Sequence, residues 1–168
     1  MDDGWGDRDP AVAALFRAHY QHLIALAGRI LMDFTGAEDV VMDAFLGLHR
    51  RWEAISKSGS PYGYLQTSVV NGCHSRRRRI KVAAARLFTQ VERPSPPADQ
   101  AALIHLEHDA VAQALVRLST RQRQVLVLRY YEGLSEAEIA AILGCGVGSV
   151  KTHASRGLKA LATDAGVT

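Results

Sequence analysis

Hydrophobic residues recur along this chain at spacings of three and four, which is the repeat of an amphipathic α-helix. The stripe of the first such segment consists of Val12, Phe16, His19, Leu23, Leu26 and Ile30. Asp9 and Pro10 precede the stripe, so Asp9 is predicted to cap this helix and Pro10 to occupy its first turn. No segment shows the strict alternation expected of a strand.

Two more helices are predicted in the first half of the chain. One follows Gly36, and its predicted buried face consists of Val41, Phe45, Leu48 and Trp52. The other spans about residues 62–80, with Leu65, Val69 and Cys73 inward. Between them, residues 56–63 are rich in Ser, Gly and Pro and are predicted to form a loop.

A linker divides the chain, because residues 92–99 contain three prolines that cannot continue a helix. After a helix predicted over residues 101–118, Ser119 with Gln122 and Ser135 with Glu138 form two capping-box patterns. Gly133 and Gly144 are the expected stops. The predicted fold is all-α, with two small helical domains joined by a flexible, proline-containing linker.

Residues 134–161 match a helix-turn-helix, since two short helices flank a turn of about four residues that contains glycine. Val150, Ala154, Leu158 and Leu161 are expected to face inward in the last helix. The residues predicted to face outward and contact DNA are Ser149, Lys151, Thr152, Ser155, Arg156 and Lys159. An ordinary helical hairpin with a basic face is the competing interpretation.

Composition argues against a secreted, a membrane-spanning and a disulfide-rich protein. Of 168 residues, 48% are hydrophobic, which is enough to build real cores. The acidic first nine residues do not resemble a secretory signal, and no run approaches the roughly 20 apolar residues of a membrane span. Cys73 and Cys145 are far apart in the sequence, which favours a reducing, cytoplasmic location over a disulfide framework.

The charge is distributed in blocks. Residues 59–93 contain seven basic residues and one acidic residue, and residues 117–168 contain seven basic and four acidic residues. Between them, residues 94–116 contain three acidic residues and no Lys or Arg. Two basic blocks on either side of an acidic spacer indicate two contacts with a polyanion.

The first basic block includes a polar helix face. Asn71, Ser75, Arg78 and Arg79 are predicted to lie opposite Val69, where arginines can hold phosphates and stack on bases. A cationic end that complements the helix dipole needs only one or two arginines, whereas four follow one another here. On the helix after Gly36, the outward stripe of Asp39, Asp43, Leu46 and Arg50 is either a partner surface or a solvated face.

The order of these features resembles the extracytoplasmic-function (ECF) sigma factors of bacterial RNA polymerase. AEDVVMDAFLGLHR is similar to the family's polymerase-binding helix, with Met42 in place of the usual Gln. YLQTSVVNGCHSRRRR is similar to its −10 helix, with Ser75 where Asp is common. The run from LSTRQRQ to GLKAL is similar to sigma domain four, with His153 and Gly157 departing from the usual basic and alanine residues.

The resemblance implies sigma domain two at residues 10–82, a linker at 83–103 and sigma domain four at 104–163. It implies that core polymerase binds Asp39, Met42, Asp43 and Leu46. It implies that the −10 element is held by Asn71, Ser75, Arg76, Arg77, Arg78 and Arg79. The helix-turn-helix residues would read the −35 element, and residues 56–60 would receive a flipped promoter base. The expected partners are core RNA polymerase and promoter DNA, and an anti-sigma factor is a further partner that is common in the family. No membrane and no small-molecule substrate are expected.

Two other interpretations stay open from the residues alone. One is a stand-alone helix-turn-helix regulator that does not depend on core polymerase. The other is an enzyme, for which His19 with His22, or His105 with His108, could hold a metal. The sequence contains no Gly-rich phosphate loop, nucleophile elbow or HExxH pattern, so we expect no catalytic residues, metal or cofactor.

Overall fold

The computed structural model describes residues 8–87 and 110–164, and regular secondary structure in these two ranges is entirely α-helical. The helices of the first range, here called the N-terminal unit, are α1 (Arg8–Leu31), α2 (Phe34–Arg50), α3 (Trp52–Ser58) and α4 (Pro61–Leu87). Those of the second range, the C-terminal unit, are α5 (Ala110–Arg117), α6 (Thr120–Tyr130), α7 (Glu136–Leu143) and α8 (Val147–Asp164). The prediction of an all-α fold is confirmed.

The start of α1 differs from the prediction. The helix already includes Arg8, so Asp9 lies in its first turn and is not its cap. The Asp9 carboxylate instead accepts a hydrogen bond of 2.8 Å from His49 Nε2, which ties the start of α1 to the end of α2. This hydrogen bond is the main reason that the pKa of Asp9 is lowered. Farther along α1, Leu23, Leu26 and Ile30 of the predicted stripe are fully buried.

Helix α2 is capped by Asp33, whose side chain accepts a hydrogen bond from the Gly36 amide. The predicted buried face is confirmed by three residues, Val41, Phe45 and Leu48. The predicted loop at residues 56–63 is wrong, because α3 continues to Ser58 and only residues 59–60 separate it from α4. Trp52 and Ile55 pack half-buried against the core, and this contact holds the extra helical turns in place.

Helix α4 buries Leu65, Val69 and Cys73 as predicted, and it runs past residue 80 to Leu87. It lies close to α2 because Gly72 faces Val40, and a Cβ on Gly72 would lie 2.7 Å from Val40 Cγ1. Burial raises the pKa of the Cys73 thiol to about 12.

The buried residues of the C-terminal unit include Leu118, Val125, Leu128, Ile139, Val150 and Ala154, and they belong to the same hydrophobic cluster as the buried residues of the N-terminal unit. Both predicted capping boxes are present, at Ser119 with Gln122 and at Ser135 with Glu138. Gly144 adopts a left-handed conformation with φ 61°, which ends α7 and is a conformation that favours glycine.

The two units contact each other, because α1 packs against α6 and α4 against α7. The predicted linker at residues 92–99, the start of the helix predicted over residues 101–118, and the histidines at 105 and 108 lie outside the described residues. Among the helices that the structure describes, none has the length and apolar character needed to cross a membrane.

Candidate nucleic-acid interface

A helix-turn-helix is formed by α7 and α8. The side chain of Ser135 caps α7, and the left-handed Gly144 then turns the chain so that α8 begins only three residues later. Buried Ile139 and Ala140 of α7 belong to the same core as Val150 and Ala154 of α8. Small residues at two of these positions allow the helices to lie close together, so the predicted motif is confirmed as a structural unit.

The outer face of α8 is polar and basic. All six residues predicted to contact the −35 element are exposed: Ser149, Lys151, Thr152, Ser155, Arg156 and Lys159. The Thr152 hydroxyl donates to the Gly148 carbonyl at 2.9 Å, and Lys151 Nζ lies 3.7 Å from a Glu136 carboxylate oxygen. The six side chains therefore present polar and charged groups on the side of α8 away from the core.

The inner face of α8 differs from the prediction at Leu158. Leu158, expected inward, is 43% exposed, while Gly157 is buried. A Cβ on Gly157 would lie 2.9 Å from Leu126 Cδ1, so α8 approaches α6 more closely than a larger residue would allow. Gly157 thus contacts α6, and the sequence departure at this position changes packing rather than the DNA-facing surface.

Arg129, in the last turn of α6, joins this surface. It lines an open cleft of about 480 Å³ together with Lys151, Ser155 and Lys159. Its Nη1 donates to Glu136 at 3.1 Å, which holds the guanidinium beside α8. No local pattern marks Arg129, because only the packing of α6 against α8 brings it to the cleft.

The four consecutive arginines of α4 divide into two pairs. Arg78 and Arg79 are exposed, as are Asn71 and Ser75, so this predicted polar face is present. Ser75, Arg78 and Arg79 line an open cavity of about 500 Å³ with two small apolar residues. Arg76 and Arg77 are half-buried instead, whereas residues 78–83 are all exposed, so α4 extends beyond the core after Arg77.

Arg76 is bound within the N-terminal unit. Its Nη1 donates to Asp39 Oδ2 at 3.0 Å, and its Nη2 donates to Asp33 Oδ2 at 3.5 Å. One of the predicted −10 residues is therefore paired with one of the predicted polymerase-binding residues.

The predicted polymerase-binding stripe lies on the solvent face of α2. Asp39 and Asp43 are exposed, and Met42 and Leu46 are 43% and 50% exposed. Exposed Met and Leu between carboxylates form a mixed surface that suits a protein partner.

A buried carboxylate joins the two units, and no sequence pattern predicted it. The Glu132 side chain is only 2% exposed. Its oxygens accept hydrogen bonds from His22 Nε2 at 2.7 Å, from the Tyr62 hydroxyl at 3.1 Å and from Gln66 Nε2 at 2.5 Å. Burial and the Glu132 carboxylate raise the pKa of Tyr62 to about 12. Glu132 belongs to the C-terminal unit and its three donors to the N-terminal unit.

A buried arginine makes a second connection between the two units. Arg123 is 4% exposed, and its guanidinium donates to the carbonyls of Leu115 at 2.9 Å and Leu118 at 3.0 Å in its own unit. It also donates to the Ile30 carbonyl at the end of α1, at 3.3 Å. Burial lowers the pKa of Arg123 to about 10, so it stays charged at neutral pH.

The histidine pair considered for a metal has other partners. His22 is bonded to Glu132 and stacks on Tyr131 with ring centroids 4.9 Å apart. His19 packs on Tyr62 at 4.5 Å. Within residues 8–87 and 110–164, no group of three or more His, Cys, Asp or Glu side chains is arranged to hold a metal ion.

Each half of the chain matches the model of a known protein family. The model of Sigma-70 region 2 matches residues 15–82, and that of Sigma-70, region 4 matches residues 108–161. The ECF RNA polymerase sigma factor SigM of Mycobacterium tuberculosis is 34% identical over 157 residues, covering 94% of this chain and 78% of SigM. SigL of the same species is 32% identical over 170 residues, covering 94% of each chain.

Among solved structures, the sigma factor RpoE of Bartonella quintana, in complex with the anti-sigma factor NepR, has the same fold. The TM-score is 0.71 at 22% sequence identity, and the match covers 90% of this chain and 94% of RpoE.

Proposed function

This chain belongs to the extracytoplasmic-function (ECF) RNA polymerase sigma factors, and from that membership we propose how its residues divide the work of promoter recognition. The protein binds core RNA polymerase and promoter DNA and directs promoter-specific transcription initiation. It acts through binding surfaces and needs no catalytic residue or cofactor. The observation that carries the assignment of roles is the separation of two basic surfaces, one on α8 and one on α4, in different helical units.

The −35 element is read by α8. Lys151 and Arg156 supply charge for guanine edges or phosphates, while Thr152 and Ser155 supply hydroxyls that can donate or accept. Ser149 and Lys159 lie at the two ends of this surface. Arg129 extends the surface onto α6, where it lines the same cleft as Lys151 and Lys159, and we assign it to a phosphate contact.

The −10 element is held by the exposed face of α4. Asn71 and Ser75 offer polar groups to a separated strand, and Arg78 and Arg79 offer guanidinium groups to its phosphates and bases. The half-buried Arg76 and Arg77 are less accessible to DNA in this arrangement. Stacking and phosphate contacts with the single strand offset the few kcal/mol that unstacking a base costs.

Core polymerase docks on α2, through the stripe of Asp39, Met42, Asp43 and Leu46. The two exposed apolar side chains supply area that is buried on binding, and the carboxylates supply orientation and attraction for a basic partner. An anti-sigma factor is a further partner that we propose, since the related fold of RpoE is found in such a complex. No feature of the described residues favours a stand-alone regulator over this assignment.

Run-off transcription with core polymerase tests the assignment. Lys151→Ala with Arg156→Ala removes two cationic contacts to the −35 element, and loss of such contacts costs about 1–3 kcal/mol each. Promoter-specific transcripts should fall by at least about tenfold, while capture of the protein by core polymerase is unchanged.

The charge-matched control is Arg17→Ala with Arg51→Ala, which removes two exposed charges, one from α1 and one from the residue between α2 and α3. It should leave transcript levels near those of the unaltered protein. Equal loss in both double variants would show that net charge, and not the α8 surface, governs promoter use. Normal transcription by the α8 variant would contradict the assignment directly.

A further inference from the structure

The polymerase-binding stripe and the −10 face share one cleft. A cleft of about 170 Å³ runs between α2 and α4, lined by Asp39 and Asp43 on one side and by Arg76 and Arg79 on the other. The close approach of Gly72 to Val40 brings the two helices together at this place. A partner on the α2 stripe therefore lies next to the residues that contact DNA.

Asp39 and Arg76 connect the two walls of this cleft. The Arg76 guanidinium lies directly over Gly36, where a Cβ would collide with it and with the Asp33 carboxylate. Asp33 already uses Oδ1 to cap α2 at the Gly36 amide, at 2.9 Å. The shorter of the two Arg76 ion pairs is the one to Asp39, at 3.0 Å.

The pair of Asp39 with Arg76 can exchange partners. The Asp39 side chain is 66% exposed and the Arg76 side chain 32% exposed, and ion pairs at such positions add little net stability. Arg76 Nε is buried and has no hydrogen-bond partner among the described residues, so the guanidinium is not fully satisfied where it lies. A phosphate offers it a stronger, two-point acceptor.

We propose that Asp39 holds Arg76 away from DNA in the free protein, and that polymerase docking on α2 takes Asp39 and releases Arg76 to a phosphate of the −10 strand. This inference rests on the proposed function of the two surfaces. A basic group of the polymerase competes with Arg76 for the same carboxylate, so binding at one surface changes affinity at the other. By linkage, the −10 strand must strengthen polymerase binding by the same factor.

The test measures binding of the full-length protein, without polymerase, to a fluorescein-labelled dT12 oligonucleotide as a function of salt concentration. Asp39→Ala removes the shorter of the two ion pairs of Arg76 and leaves only the 3.5 Å pair with Asp33, so the Arg76 guanidinium should become available for one added phosphate contact. One such contact makes the slope of log K against log salt steeper by about 0.7 for a single strand. Asp43→Ala is the matched control, because it removes the same charge from the same stripe, whereas the carboxylates that bind Arg76 are those of Asp33 and Asp39.

A second comparison isolates Arg76 itself. In the background of Arg76→Gln, Asp39→Ala should no longer steepen the slope, since the residue that it releases is gone. In the presence of core polymerase, the unaltered protein and Asp39→Ala should have the same slope, because Asp39 is already engaged. Circular dichroism checks that each variant is folded. We expect that it is, because the Asp39 side chain is 66% exposed and the Arg76 side chain is 32% exposed.

Equal slopes for Asp39→Ala and Asp43→Ala would overturn the proposal and leave only general electrostatics. A steeper slope that persists with Arg76→Gln would overturn it as well. Neither result affects the proposed function, which is tested separately by promoter-specific run-off transcription with core polymerase.

Discussion

Glu132 is predicted to be the side chain that most stabilises the contact between the two helical units. Replacing it with Ala removes a carboxylate that accepts hydrogen bonds from His22, Tyr62 and Gln66. No other acceptor can take the place of the Glu132 carboxylate, because the Glu132 side chain is 2% exposed and surrounded by these donors.

The size of the loss in stability depends on whether water can replace the carboxylate as the acceptor for each donor. Gln66 is 8% exposed and Tyr62 is half-buried, so each loses an acceptor that water replaces poorly, at about 1 kcal/mol apiece. His22 has a side chain 39% exposed and can be rehydrated, so its loss adds little. Glu132→Ala should therefore lower the free energy of unfolding by about 2 kcal/mol.

A double-mutant cycle between Glu132→Ala and Gln66→Ala, followed by urea unfolding and circular dichroism, measures the contact across the units. We expect a coupling energy of about 1–2 kcal/mol, since each single variant breaks the same hydrogen bond. The control is Glu53→Ala, which removes a carboxylate that is 75% exposed and lies 4.0 Å from Lys57, and it should change stability by less than about 0.5 kcal/mol. Additivity of the Glu132 and Gln66 changes within about 0.3 kcal/mol would refute the reasoning.

Two further predictions concern packing and cysteine chemistry. Gly157→Val should destabilise the protein by about 2 kcal/mol by overpacking α8 against Leu126, whereas Gly148→Val, in open space, should not, and equal urea midpoints for the two variants would count against the close approach. Cys73, fully buried and with its pKa raised to about 12, should resist iodoacetamide at pH 8 while partly exposed Cys145 reacts, as mass spectrometry of the labelled peptides would show. Because a raised pKa stabilises the neutral folded form, this contribution should be complete below pH 9 and lost as the pH rises towards 12, and a urea midpoint that stays constant over that range would contradict the burial of the thiol.

Sequence alone determined the features that depend on neighbours within about four residues. The capping boxes at Ser119 and Ser135 and the left-handed stop at Gly144 are local hydrogen-bond and backbone preferences, so they could be predicted before any packing was known. Helical periodicity likewise predicted the exposed face of α8 and the exposed stripe of α2. These features were enough to predict the fold class, the helix-turn-helix and the family.

Only the tertiary structure decided which helices face one another. Periodicity shows which residues share a face of a helix, but not what packs against that face. It therefore could not place Glu132 among three donors 66 to 110 residues away, bring Arg129 to α8, or show that Arg76 pairs with Asp39. It also placed Leu158 on the wrong face and did not predict that Gly157 is buried, because the inward side of α8 is fixed by the approach of α6 and not by hydrophobicity alone.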